Sequence, residues 1–184
     1  EMTPDISGHK QDVPTLSVLA KRIGYHILVT HSAGGFPGWM SAMLNPEVKA
    51  VVSYEPGGFV FPEGEVPERI EGLTGGVAGI PVSSEQFKRL TEIPIVIYFG
   101  DYIPEIPTKN LGDENWRVRL QMARKFVETV NRHGGNATLV ELPKIGIYGN
   151  THFLMQDLNN DKLAELLDEW LSKQNLCKKV LHDN

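Results

Sequence analysis

The sequence of 184 residues contains one cysteine, Cys177, and no apolar run long enough to cross a lipid bilayer. One cysteine excludes an internal disulfide and any cysteine-rich metal site. Positive charge is also scarce, since 18 Lys and Arg residues face 23 Asp and Glu residues and the formal net charge is −5. Nucleic-acid surfaces need clustered positive charge, so we expect no nucleic-acid partner. The absence of a long apolar run likewise predicts no membrane span.

The apolar and charged fractions are ordinary for a globular protein, and the length suffices for one domain with a sizeable core. Residues 1–14 are polar and interrupted by prolines, which predicts a loop. Short apolar runs, which are typical of strands covered on both faces, recur along the chain. The predicted strands are His26–Thr30, Val48–Tyr54, Ile93–Phe99 and Ala137–Leu142.

Segments with helical spacing of apolar residues alternate with these runs. The predicted helices are Gly34–Leu44, Ser84–Leu90, Asn115–His133 and Asp161–Leu171. Such alternation requires crossover connections and predicts an α/β fold with a mainly parallel sheet. Functional residues of such sheets lie at the C-terminal ends of the strands. Residues 57–92 are rich in glycine and proline, which predicts a lid-like insertion.

The first strand ends in Thr30-His31-Ser32-Ala33-Gly34, with small residues on both sides of a serine. Between a strand and a helix, this pattern predicts a nucleophile elbow, a strained turn that lifts the serine hydroxyl out of the sheet edge. The backbone N–H of Ala33 would then face a developing oxyanion. Thr30 replaces the usual glycine at the first position, and the alternative interpretation is a glycine-rich turn with a surface serine.

A serine nucleophile needs a general base, and His152 is the best placed of the six histidines. It follows the fourth strand in a loop immediately before the final helix, where a hydrolase fold of this type delivers its base. A lone loop histidine is otherwise a solvated or helix-capping residue. Chain order and placement favour the interpretation of His152 as the base.

The histidine in turn needs a carboxylate that fixes its tautomer and stabilises the imidazolium. Asp101 follows the third strand, and Glu55 follows the strand next to the serine strand. Either carboxylate is also plausible as a turn cap at the sheet edge. Spacing alone does not choose between the two.

Five motifs together resemble a group of bacterial α/β-hydrolase esterases. They are VTHSAGGFPGW, VSYEPGGFVFPEGEVP, IPIVIYFGDYIPEIPT, NWRVRLQMARKFVETVNRHGG and GNTHFLMQDLNN, and the resemblance covers nearly the whole chain from about Gly24. These esterases use a Ser-His-Glu triad whose glutamate follows the sixth strand. The resemblance therefore implies Ser32 as nucleophile, His152 as base and Glu55 as acid, with Asp101 a loop or supporting residue. It implies serine esterase activity on carboxylic esters without a metal or organic cofactor.

The family domain orders its strands 1-2-4-3-5-6-7-8, and the predicted strands correspond to strands 5–8. Residues 1–184 are therefore expected to be the C-terminal portion of a single α/β-hydrolase domain. Strands 1–4, and the loop that supplies the second oxyanion N–H, have no counterpart here. Without strand three, the Tyr25–Thr30 strand would be an exposed edge that invites aggregation. We therefore expect a second polypeptide, either a cleaved N-terminal half or a separate subunit, and a homodimer of the whole remains open.

Phe36, Phe59 and Phe61 are weak candidates for an apolar pocket that holds a small-molecule ester. Thioesters, lactones and amides use the same catalytic parts and stay open. Because the related esterases are often exported, a periplasmic or secreted location is favoured. The alternative function is a non-catalytic, hydrolase-like binding or structural subunit. Competent residues at all three triad positions weigh against that alternative, and the absent oxyanion half keeps it open.

Overall fold

A computed structural model describes residues 15, 18–19, 21–73 and 75–177. The predicted loop over residues 1–14 lies outside the described residues. The strands are β1 His26–His31, β2 Val48–Tyr54, β3 Val60–Pro62, β4 Ile80–Val82, β5 Pro94–Phe99 and β6 Asn136–Glu141. The α-helices whose two ends both lie within the described residues are α1 Gly35–Leu44, α2 Ser84–Thr91, α3 Leu111–Arg132 and α4 Asn160–Lys173.

The main sheet has the strand order β1-β2-β5-β6, and every neighbouring pair in it is parallel. β3 and β4 form a separate parallel pair. The predicted α/β fold with a mainly parallel sheet and flanking helices is confirmed. The assignment of these strands to positions 5–8 of a longer sheet stays a prediction.

Both faces of the main sheet are covered, which explains why its central strands are continuous apolar runs. Side chains of a strand point alternately to opposite faces. Ile95 and Ile97 of β5 enter a core with α1, α2 and α3, whereas Val96 and Tyr98 enter a second core with α4.

The segment 57–92 is anchored in the first core and contains β3, β4 and α2. Phe59 and Phe61 are fully buried there and pack against Phe126 of α3. Their aromatic side chains therefore belong to the core, and the structure does not place them on a substrate pocket. The lid-like role of this segment stays a prediction.

Helix α3 begins earlier than its apolar pattern predicts, at Leu111 rather than Asn115. The Asn110 side chain caps it by accepting hydrogen bonds from the backbone N–H groups of Gly112 and Asp113. A polar first turn has no apolar periodicity, so only the cap could have revealed it. The earlier start adds a turn to α3 before Trp116, beside the carboxyl ends of β2 and β5.

Strand β1 forms one edge of the main sheet and is less buried than its neighbour β2. The side chain of Val29 on β1 is 56% exposed, whereas Val51 and Val52 on β2 are fully buried. Within the described part of the chain, no helix is both long and apolar enough to span a membrane.

Candidate active site

The register of β1 and β2 brings the two predicted reacting turns together. His31 pairs with Tyr54, so Ser32 and Glu55, each one residue further along, leave the sheet side by side. The Glu55 N–H donates to the carbonyl of Tyr98 on β5, 2.9 Å away, which ties this turn to the next strand. The three strand ends therefore form one continuous edge.

Ser32 and Glu55 both adopt left-handed backbone conformations, with φ of 53° and 43°. Non-glycine residues in this region cost about 1–3 kcal/mol each and persist only where the surroundings hold them. After Ser32 the chain forms a single 3-10 turn, Ser32–Gly34, and then α1. This is the strand-turn-helix geometry that the sequence predicts, with Ala33 exposed at the helix entrance.

The serine turn and the glutamate turn are in direct contact. The Gly57 N–H donates to the Ser32 carbonyl at 2.8 Å. A Cβ placed on Gly35 would lie 2.4 Å from Cβ of Pro56, so only glycine allows this approach. The relative position of Ser32 and Glu55 is therefore fixed by the backbone.

Thr30, the departure from the usual elbow pattern, is accommodated by Gly38 on α1. A Cβ on Gly38 would lie 2.6 Å from Cγ2 of Thr30. The Thr30 hydroxyl donates to Ser53 Oγ on β2 at 2.8 Å. The strand thus carries a larger residue than the usual glycine, and the glycine on the helix leaves room for its methyl group.

We predict that Gly38→Ala destabilises the protein by about 1–3 kcal/mol, because its new methyl overlaps the Thr30 methyl. Combining it with Thr30→Ser, which removes that methyl and keeps the hydroxyl, should restore most of the loss. The helix also gains about 0.5–1 kcal/mol from replacing glycine by alanine. Urea unfolding of both single variants and the double variant measures the coupling. Simple additivity would contradict the steric explanation.

Ser32, His152 and Glu55 form one hydrogen-bonded chain. His152 Nδ1 lies 2.6 Å from Glu55 Oε2, and His152 Nε2 lies 2.9 Å from Ser32 Oγ. An ionised carboxylate only accepts hydrogen bonds, so Nδ1 carries the proton and donates a hydrogen bond to Glu55. Nε2 is then the unprotonated nitrogen and accepts the hydrogen bond of the Ser32 hydroxyl. This tautomer is the one that can remove a proton from the serine.

The Glu55 carboxylate is 2% exposed, and both of its oxygens have donors. Oε1 accepts the Gly100 N–H at 2.7 Å, while Oε2 accepts from His152. A Cβ on Gly100 would lie 2.7 Å from the Asn150 carbonyl and 3.1 Å from Glu55 Oε1. Burial also raises the pKa of the preceding Tyr54, whose phenol stays neutral.

Asp101 lies at the same sheet edge and has a different set of partners. Its carboxylate accepts hydrogen bonds from the backbone N–H groups of Tyr102, at 2.7 Å, and Gly149, at 3.1 Å. The Asp101 N–H donates to the carbonyl of Asn150 at 2.8 Å. Asp101 thus fastens the histidine loop to the end of β5, and Glu55 is the carboxylate that contacts His152.

The loop that carries His152 is held by further polar side chains. The Thr151 N–H donates to Asp157 at 2.7 Å. The amides of Asn150 and Asn159 exchange two hydrogen bonds of 2.7 and 2.9 Å. Because Asn150 is fully buried, this reciprocal pair satisfies both of its polar groups where water cannot.

The sequence did not identify two ring neighbours of His152. His31 Nε2 lies 2.8 Å from the His152 carbonyl, so it donates and tethers the backbone of the loop. The Trp116 ring lies 4.0 Å from the His152 ring, centroid to centroid, with the planes 30° apart. Trp116 belongs to the apolar stripe of α3, so the sequence pattern predicts a core position and does not indicate the contact with His152.

A cleft of about 210 Å³ lies beside His152, Glu55 and Trp116. Its other lining residues are Asp101, Tyr102, Ile103, Gly112, Asp113 and Thr151. None of the three predicted pocket phenylalanines lines it. Phe59 and Phe61 are fully buried in the first core, because segment 57–92 packs onto α3. Phe36 is partly buried against the same core.

The chain is similar to known ester-cleaving proteins, although no protein-family model matches it. The solved structure of a bacterial esterase is 32% identical, with a TM-score of 0.67, and the match covers 90% of this chain and 43% of that one. A probable secreted lipase, phiG, from a fungal species is 26% identical, and the match covers 86% of this chain and 49% of the relative. The chain thus spans about half the length of these relatives. The resemblance to bacterial esterases is confirmed.

Proposed function

We propose, from the premise that the chain has an esterase- and lipase-like hydrolase fold, that it carries the reacting groups of a serine hydrolase that cleaves carboxylic esters. Ser32 is the nucleophile, His152 the general base and Glu55 the acid that orients it. The proposal rests on the hydrogen-bonded chain of 2.9 and 2.6 Å from Ser32 through His152 to Glu55. Separate strand ends and a distant loop supply these three groups.

In the first half of the reaction, Ser32 Oγ attacks the ester carbonyl while His152 Nε2 takes its proton. The carbonyl oxygen becomes an oxyanion, which the backbone N–H of Ala33 stabilises as one of the donors. The tetrahedral intermediate collapses when the imidazolium gives that proton to the leaving alcohol. An acyl-serine and a free alcohol result, and His152 is neutral again.

In the second half, a water molecule replaces the alcohol. His152 Nε2 takes a proton from the water as its oxygen attacks the acyl-serine. The second tetrahedral intermediate releases the carboxylic acid, and the imidazolium returns the proton to Ser32 Oγ. Throughout, the Glu55 carboxylate holds Nδ1–H and balances the positive charge on the ring.

The substrate class follows from the relatives and from the site. The bacterial esterase and the probable secreted lipase both carry names for ester hydrolysis, and we propose a small carboxylic ester as the substrate here. The name of the fungal relative also supports the prediction of an exported protein. Because the chain spans about half the length of these relatives, activity and location of the whole protein are parts of this proposal.

The predicted second polypeptide stays a prediction. Nothing in the described residues tests whether strands 1–4 come from another chain, or whether the whole forms a homodimer. β1 is an edge of the main sheet within the described residues, and the edge of a sheet is where a further strand would pair. Intact-mass and N-terminal analysis of the purified protein would identify such a companion.

We predict that a fluorophosphonate probe labels the native protein once, on Ser32. The probe requires a serine that a base has activated, so labelling should disappear after heat denaturation. Mass spectrometry of the peptides identifies the modified residue, and hydrolysis of p-nitrophenyl acetate gives the matching activity. A native protein that takes no label and hydrolyses no ester would be the non-catalytic, hydrolase-like subunit instead.

A further inference from the structure

We propose that Trp116 is a positioning residue that stabilises the protonated form of His152, and this rests on the proposed hydrolase function. Neither the apolar pattern of α3 nor the resemblance assigns Trp116 a role at the site. Its ring is the nearest aromatic neighbour of the His152 ring among the described contacts, at 4.0 Å between centroids. The structure therefore brings an indole to the group that must become a cation during the reaction.

The contact has the geometry of a ring over a ring rather than an edge contact. The planes of Trp116 and His152 are 30° apart, whereas Phe153 meets His152 at 66° and a distance of 5.3 Å. A cation within about 6 Å of an indole face is attracted by the quadrupole of the ring, and tryptophan is the strongest of the aromatic side chains in this respect. His152 is also mostly buried, with 21% of its side chain exposed, so solvent screens this attraction only in part.

The attraction acts on the reaction because the charge of His152 changes along it. The imidazole is neutral before Ser32 is attacked and positive at each tetrahedral stage. The indole attracts the imidazolium more strongly than the neutral imidazole. It therefore stabilises the transition state more than the resting enzyme, and this lowers the activation barrier. Trp116 and the Glu55 carboxylate therefore act together, one through a ring face and the other through Nδ1–H.

Several other charged or titratable groups surround the pair and have to be considered in any pH measurement. Those in contact with His152 are Glu55 and His31, and those that line the same cleft are Asp101 and Asp113. On the ring of Trp116, the guanidinium carbon of Arg119 lies 5.4 Å from the centroid. Burial lowers the pKa of Arg119, whose Nη1 also donates to the carbonyl of Asn115 at 2.9 Å. Arg119 thus lies along the same indole and is held by its own helix.

A different role for Trp116 would be that of a wall for the alcohol part of the substrate, because it lines the cleft. The two roles predict different kinetics. A wall contacts the substrate, so its loss changes KM and depends on the size of the alcohol. Stabilisation of the imidazolium acts on the enzyme, so its loss lowers kcat equally for all alcohols and changes the pH profile.

The test compares Trp116→Leu, Trp116→Phe and the wild type on acetate esters of a small and a large alcohol. Cation–π attraction of this kind predicts a kcat loss of about 5- to 30-fold for Trp116→Leu. Trp116→Phe should recover part of the activity, because phenylalanine keeps a ring face. The control is Trp170→Leu, which removes a buried tryptophan of α4 in the other core and should leave kcat of the folded protein unchanged.

The pH profile gives the first readout that packing alone would not move. Because the imidazolium is less stable without the indole, the acid limb of kcat/KM should shift down by roughly 0.7–1.5 pH units in Trp116→Leu, which matches the expected loss of kcat. An unchanged acid limb, or a kcat loss that depends on the alcohol, would overturn the proposal in favour of a substrate wall.

Fluorescence gives a second readout that needs no turnover. A protonated imidazole quenches indole emission, so the emission difference between wild type and Trp116→Phe should fall as His152 is protonated. The midpoint should move to lower pH in a Glu55→Gln background, because the carboxylate no longer stabilises the cation. A flat titration would overturn the contact itself. A protein that shows the titration but hydrolyses no ester would instead overturn the proposed function.

Discussion

Replacing Ser32 by alanine is expected to lower kcat for ester hydrolysis by about 10⁶-fold, the loss that follows removal of a nucleophile acting as one unit with its base. The alanine removes Oγ, the atom 2.9 Å from His152 Nε2. It leaves the left-handed turn and the Gly57 N–H bond to the backbone carbonyl of residue 32 unchanged. The variant should therefore fold like the wild type.

Steady-state kinetics on p-nitrophenyl acetate measure this loss, and the urea midpoint reports the fold. A weak residual rate should remain, since the oxyanion donors and substrate binding still act without the nucleophile. Retention of more than about 1% of kcat would point to another nucleophile or to direct attack by water.

The second large effect is expected for Glu55→Gln, with a kcat loss of about 10⁴-fold. The carboxylate accepts two hydrogen bonds, from the Gly100 N–H and from His152 Nδ1–H. Glutamine offers one oxygen and one NH₂ group, so one of these donors must face another donor. If that donor is Nδ1–H, the imidazole changes tautomer and Nε2 can no longer accept the proton of Ser32.

Asp101→Asn is the matched control, because Asp101 also accepts two hydrogen bonds at the same sheet edge, in its case both from backbone N–H groups. The substitution replaces one acceptor oxygen of Asp101 by a donor, which should loosen the histidine loop and destabilise the protein by about 1–3 kcal/mol. We expect kcat to stay within about tenfold of the wild type. Urea unfolding and kinetics on both variants separate the two carboxylates. Abolished turnover in Asp101→Asn, together with near-normal turnover in Glu55→Gln, would reverse the assignment.

Local signals in the sequence were sufficient for the elements that build the sheet edge. The apolar runs predicted all four strands of the main sheet to within about one residue. The signal is clearest for the central strands β2 and β5, which are buried on both faces. Small residues around Ser32, and a histidine after the last strand, indicated which side chains would meet there. These signals depend only on neighbours along the chain.

The choice between Glu55 and Asp101 required the order and register of the strands. β2 lies directly beside β1, and β5 lies one strand further away, so Glu55 leaves the sheet next to Ser32. Spacing along the chain contains no record of this order. The resemblance to esterases supplied the choice, and the contact of 2.6 Å between Glu55 and His152 agrees with it.

Contacts between side chains of different helices and strands could not be predicted from the sequence. Trp116 has helical spacing with core residues, so its pattern predicts burial and gives no sign of the contact with His152. Phe59 and Phe61 lie in a segment rich in glycine and proline, which suggested a loop pocket. The structure instead packs both rings onto Phe126, with Phe61 inside β3 and Phe59 immediately before it. Thr30 departs from the elbow pattern, and its compensation lies eight residues further on, at Gly38.

The left-handed backbone at Ser32 has a consequence for the engineering of this protein. Glycine adopts that conformation without steric cost, so Ser32 is less favourable there than glycine by about 1 kcal/mol. A selection for heat resistance alone would therefore enrich glycine at position 32 and remove the proposed nucleophile. Directed evolution of this scaffold must select turnover and thermostability together, because at this position the two traits favour different residues.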